Sequence, residues 1–180
     1  MIRIAVVGDI GSGKSYVAKQ FGYPVFNADA AVIQLYKKSR KCFEKLKKIL
    51  PKYIISFPVN KKEISKAIID NKNNLKKIIK IIHPEVRASM NNFLSKNKSK
   101  KIVVLDIPLL IENKINKKKD VLVFIDAKKK EINKKLKKLQ LPLKVKKKKS
   151  NFIIKNNFRS LSIKKSVRIL KRKILKKWKM

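Results

Sequence analysis

The residues Gly8-Asp9-Ile10-Gly11-Ser12-Gly13-Lys14-Ser15 have the types and spacing needed to hold a phosphate chain. They fit the pattern G-x-x-x-x-G-K-[ST]. Its glycines let successive backbone N–H groups turn inward around an anion. Lys14 brings a positive charge to the β- and γ-phosphates and is expected to face solvent in the empty loop, while the Ser15 hydroxyl suits Mg²⁺. A helix beginning here adds the positive end of its dipole. The flanks agree with this reading. Ile2–Val7 is an apolar run that reads as a buried strand, and Ser15–Phe21 has Val17, Ala18 and Phe21 at helical spacing. The chain has only four glycines, and three of them fall inside the motif.

Two acids are placed where chemistry could use them. Asp29 follows a short second strand, Pro24–Asn27, and the carboxyl ends of strands line the ligand crevice of an open α/β sheet. There it could accept a hydroxyl proton or organise Mg²⁺; it could equally cap a helix over Ala30–Lys37. Asp106 ends the apolar strand Lys101–Asp106, the form of a Walker-B strand whose terminal carboxylate approaches Mg²⁺, and here too a capping role stays open. His83, the chain's one histidine, precedes Pro84 and on residue type alone reads more readily as a structural histidine than as a ligand.

The elements that must position these residues follow from periodicity. Residues 38–97 show helical spacing, as in Phe43, Leu46, Ile49 and Leu50, then Ile64, Ile68 and Ile69, then Leu75, Ile78, Ile79 and Ile82. Asn60 is placed to cap a helix from Lys61, and Pro84 to open a helix running to about Lys96. Strands return at Asp120–Asp126 and Phe152–Ile154. A lysine-rich helix is predicted over Lys128–Leu139. Lys146–Lys149 reads as a charge run, and Ser160–Lys177 as a helix with Ile163, Val167, Leu170 and Ile174 on one face, closed by Trp178. Five short strands alternating with helices predict one domain over residues 1–180. Its architecture is a three-layer α/β/α P-loop kinase fold, with a five-stranded parallel sheet and a helical insertion after the second strand.

Composition narrows the classes. Lys and Arg number 50 against 11 Asp and Glu, a net charge of +39, yet only six of the bases are Arg. Lys, Ile and Asn all have AT-rich codons, so genome composition is a sufficient source of the charge. Lysine without interleaved arginine and aromatics reads as solvated surface. No specific nucleic-acid partner is expected, only weak, salt-sensitive attraction to polyanions. One cysteine excludes an internal disulfide and a cysteine-based zinc site. No apolar run reaches a membrane span, and the first residues enter a core strand, so no membrane partner and a cytoplasmic setting are expected. Three classes remain: a small-molecule kinase, a nucleotide-binding protein with little turnover, and a basic nucleic-acid module whose binding ignores Lys14.

At this point the chain resembles the dephospho-CoA kinase family. The likeness is carried by GDIGSGKS, Asn27-Ala28-Asp29, HPEVR at 83–87, DIPLLIE at 106–112 and QLPLKVKKKKSNFIIKN at 140–156, in the family's order. The resemblance implies transfer of the ATP γ-phosphoryl group to the ribose 3′-hydroxyl of dephospho-CoA, with Mg²⁺. It implies that Gly8 and Gly11, Ser12, Gly13, Lys14, Ser15 and Tyr16 hold the phosphates, with Ser15 on the metal, where Asp106 would join it on the Walker-B reading. Asp29 becomes the general base. His83, Arg87, Pro108, Leu109 and Glu112 fall on the acceptor side, with the insertion 38–97, and Asn156 falls near the adenine. This chain departs from the pattern at Asp9, Asn27 and Tyr16. The stretch Lys128–Leu139 is a short lid without arginine, from which an open ATP site and reduced turnover are expected.

Overall fold

The computed structural model describes residues 1–127 and 141–178. The predicted lid helix Lys128–Leu139 lies outside the described residues. The rest divides into two compact units, Met1–Asn27 with Lys96–Met180, and Ala28–Ser95.

The first unit is built on five parallel strands: β1 (Ile2–Gly8), β2 (Val25–Asn27), β3 (Ile102–Asp106), β4 (Val121–Ala127) and β5 (Phe152–Asn156). Their order is β2-β3-β1-β4-β5. The two longest apolar runs, β1 and β4, lie side by side at the centre, as strands buried on both faces should. One face carries Ile4, Val6, Ile102, Val104, Val123 and Ile125. It packs against α1 (Lys14–Gln20) and the last helix, α7 (Ser160–Lys177), whose predicted stripe Ile163, Val167, Leu170 and Ile174 is buried. On the other face Ala5, Val7, Val103 and Leu105 are buried as well, as a three-layer arrangement requires. Trp178 closes the stripe as expected, its ring edge-on to Phe152 at 5.9 Å.

The charge run was not what its composition suggested. Leu143–Lys148 forms a short helix, α6, after Pro142, and Lys146 within it is 3% exposed. It is held by Glu112, described below.

The second unit is helical: α2 (Ala28–Lys38), α3 (Arg40–Ile49), α4 (Lys61–Asp70) and α5 (Asn73–Lys96). Its core gathers Tyr36, Cys42, Leu46, Ile54, Ile64, Ala67, Ile78 and Ile82. The Asn60 side chain accepts from Lys62 N at 2.9 Å, so the predicted cap is present. Two expectations need correction. Ile69 is 80% exposed, because helical phase carries it off the face that Ile64 and Ala67 bury. Pro84 does not open a helix; it lies inside α5, which runs unbroken for 24 residues. A proline there removes one i→i−4 bond, and apolar anchoring on both sides, at Ile78, Ile82 and Met90, outweighs that local cost.

Candidate active site

Parallel strands end together, so Gly8, Asn27, Asp106, Ala127 and Asn156 all lie at the carboxyl edge of the sheet. The phosphate loop leaves β1 there and enters α1 at Lys14. Gly8 sits opposite Ile125 of β4, and a Cβ on it would come within 2.8 Å of the Ile125 carbonyl oxygen and 2.9 Å of Ser12 Oγ. Gly13 is needed twice over. Its φ of 80° is left-handed, and a Cβ would overlap the Asn156 side-chain amide.

Within the loop, Asp9 O accepts from Lys14 Nζ at 2.7 Å and from Ser12 N at 3.2 Å. Lys14 is therefore half-buried against its own loop, not solvent-facing as expected. The Asp9 carbonyl thus holds the ammonium within the loop. The Asp9 carboxylate is turned onto the neighbouring Ile10 N–H at 2.9 Å, a local turn bond that accounts for an acid in this loop. Ser12 Oγ is buried and has no hydrogen-bond partner among the described residues, which fits an acceptor-rich ligand at this loop. Tyr16 donates its hydroxyl to Ser160 Oγ at 2.7 Å, joining α1 to the start of α7.

Asp106, 3% exposed, lies between β1 and β2 in register with Val6 and Asn27, and accepts from Asn27 Nδ2 at 2.7 Å. Here an amide is the better neighbour. A second carboxylate at 2.7 Å would set two negative charges side by side, whereas the Asn27 amide donates to Asp106. Ser15 is exposed in the first turn of α1. A hydroxyl and a carboxylate form an all-oxygen donor set, which suits Mg²⁺, a cation that takes one or two protein oxygens plus phosphates and water.

After β3 the chain turns sharply, with Leu109 at φ 54°. Pro108 is exposed and Leu109 half-buried, while Glu112 points inward. Glu112 Oε1 accepts from Lys146 Nζ at 2.9 Å and from Leu141 N at 3.0 Å. Burial alone would raise this carboxyl. The Lys146 ammonium, with the N–H groups of Glu112 and Leu141, outweighs it and holds the carboxyl below its usual range. A small cavity joins Glu112 and Lys146 to Gly8 and Lys14, so this ion pair borders the phosphate loop. Both side chains are nearly buried, Lys146 at 4% and Glu112 at 13% exposure. Lys146→Met is expected to cost about 3–5 kcal/mol, because it strands a buried carboxylate. A depressed carboxyl contributes stability above its unfolded value and loses it as pH falls through the folded one, so the deficit should shrink on acidification. Urea denaturation at neutral and acidic pH measures both; an unchanged midpoint at neutral pH would contradict the assignment.

Asn156, 4% exposed at the end of β5, donates from Nδ2 to Ser12 O at 2.8 Å and accepts from Phe158 N at 2.8 Å. Nothing local in the sequence marks a bond spanning 144 residues. The sequence reading also missed Lys146, for which the only signal was Pro142 ahead of it.

In the helical unit, Asp29 is exposed and lies in the first turn of α2, which begins two residues earlier than expected. It therefore stands inside the helix, where the dipole favours a carboxylate, not at the preceding cap position. His83 and Arg87 are four residues apart on α5, on one face and exposed. Desolvation, then the Arg87 charge, pushes the imidazole below its ordinary 6.5, so it is neutral at pH 7. The single imidazole signal followed by NMR against pH should show a midpoint under 6.5, and Arg87→Ala should move it upward. A midpoint that ignores Arg87 would separate the two side chains.

The arrangement thus offers a backbone anion cradle, a lysine held within it and an ion-paired wall beside it. The dephospho-CoA kinase family pattern (CoaE) matches residues 2–142. The chain belongs to the dephospho-CoA kinase family. It is 38% identical over 129 residues to the dephospho-CoA kinase of Bartonella quintana and 34% identical over 129 residues to that of Wolbachia pipientis. In each case the alignment covers 69% of this chain and 66% of the relative. A crystal structure from Thermus thermophilus superposes with a TM-score of 0.76 at 24% identity, covering 99% of this chain and 98% of that one. The dephospho-CoA kinase of Campylobacter jejuni superposes at 0.68 with 21% identity, covering 97% of each. These structural likenesses show that the chain shares their α/β fold. No helix among the described residues is long and apolar enough to cross a membrane.

Proposed function

We propose that the protein transfers the γ-phosphoryl group of ATP to the ribose 3′-hydroxyl of dephospho-CoA, the last step of coenzyme A synthesis. The observation that carries this is the family match across residues 2–142, laid over a phosphate loop whose glycines are held in left-handed and close-approach positions. The loop N–H groups bind the phosphates. Lys14 exchanges Asp9 O for a β- or γ-oxygen and follows the charge that moves during transfer. Ser15 and Asp106 would hold Mg²⁺, which would supply charge neutralisation to the phosphates when bound. Asp29 takes the proton of the 3′-hydroxyl. On the family resemblance, His83 and Arg87 of the helical unit serve the acceptor, and so do Pro108, Leu109 and Glu112 of the first unit. The neutral imidazole can donate or accept, and the guanidinium fork suits a phosphate or ribose. The reaction needs no covalent intermediate. A cytoplasmic setting is part of the same reading and accords with one free, buried thiol, Cys42.

The test is a transfer assay with ATP, Mg²⁺ and a panel of acceptors: dephospho-CoA, adenosine, pantetheine and nucleoside monophosphates. Phosphate should appear on dephospho-CoA alone. Transfer to another acceptor would make the protein a different small-molecule kinase, and tight ATP binding with no transfer would make it a nucleotide-binding protein.

A further inference from the structure

Asn156 deserves a role that nothing in its residue type suggests. Its side chain is buried, yet both ends are in use: Nδ2 holds Ser12 O and Oδ1 holds Phe158 N. The Ser12 carbonyl and the Gly13 N–H belong to one peptide plane, and in a trans peptide they point in opposite directions. Fixing the carbonyl on Asn156 therefore fixes where the Gly13 N–H points. The same side chain sits against the Gly13 Cα, where a Cβ would overlap its nitrogen and lie 3.8 Å from the Phe158 ring. A rotation of that peptide would aim a carbonyl dipole, not an N–H, at a bound anion. On the other side, the bond to Phe158 N holds a bulky residue at φ 62°, a conformation that survives only where surroundings impose it. The end of β5 is thereby anchored to the phosphate loop through one amide, and the Tyr16–Ser160 bond repeats the connection one turn further along.

We infer that Asn156 is a positioning residue for the phosphate cradle: it orients the Ser12–Gly13 peptide and acts on ATP through its phosphates, not through adenine. This rests on the ATP-binding reading above. Because the bond is internal to the protein, its loss should weaken every ligand that carries the phosphate chain and spare every ligand that lacks it.

The experiment uses the full chain with Asn156→Asp and Asn156→Ala. The first keeps the size and the acceptor for Phe158 N but removes the donor to Ser12 O; the second removes both. Calorimetry with ATP, inorganic tripolyphosphate and adenosine is combined with steady-state kinetics and thermal melting. In both variants affinity for ATP and tripolyphosphate should fall about ten- to a hundredfold, the effect of losing one buried donor. Adenosine affinity, the preference for ATP over GTP, and KM for dephospho-CoA should not change. A loss confined to adenosine, or a changed base preference, would make Asn156 an adenine contact and overturn the inference. So would a folded Asn156→Asp with wild-type tripolyphosphate affinity. If neither variant folds, the wild-type side-chain amide signal of Asn156 decides: tripolyphosphate should shift it and adenosine should not, and the reverse pattern refutes the role. Wild-type protein that binds neither ATP nor tripolyphosphate would sink the functional reading itself, before any variant is compared.

Discussion

Lys14→Ala is expected to lower kcat/KM for ATP by about 10²–10³-fold while the protein stays folded. In the ligand-free loop its ammonium is bonded to Asp9 O, and a bond of that kind contributes only about 1 kcal/mol net to stability. In the proposed reaction the same charge serves the group in flight, and no other loop side chain carries a positive charge. Stability and catalysis therefore separate. Melting should show a small change and single-turnover transfer a large one. A purified variant that turns over at near wild-type rate would remove Lys14 from the mechanism, and with it the reading of the loop as catalytic.

Asp29→Asn is expected to reduce kcat by about 10²–10⁴-fold with little change in KM for either substrate. The substitution preserves size and removes basicity. Asp29 also stands in the first turn of α2, where a carboxylate is favoured by the helix dipole, so the variant loses a few tenths of a kcal/mol of helix stability in addition. Only the catalytic role predicts a fall in kcat in a protein whose melting barely moves. A normal kcat beside a lowered melting point would leave Asp29 as a helix-terminus carboxylate.

Much of this was legible because it is local. The strands are short apolar runs, the last helix shows its stripe directly, and Asn60 stands two residues before the N–H it caps. The phosphate loop announces itself because its backbone conformation demands glycine at fixed positions. What escaped was long-range or masked by composition. Lys146 is one lysine in a run of four, and nothing in the run tells which one turns inward to meet Glu112. Asn156 could be placed at the end of a strand, but its partner lies at the other end of the chain. Pro84 was read by its local preference, and tertiary anchoring overrode it.

The sheet order has a consequence for how the molecule comes to exist. β1, the central strand, finds no partner near it in the chain: Ile2 lies opposite Ile102, and Ile4 opposite Val121. A ribosome releases β1 first and must make about 100 further residues before the first neighbouring strand appears. Until then an apolar segment waits unpaired, its closure opposed by the entropy of a long loop, which places the fold among the slower-forming topologies. Unfinished chains with open strand edges are prone to associate with each other. Here the lysines that follow β1 give every such chain the same sign of charge, and like charge opposes that association while the centre of the sheet is still being made.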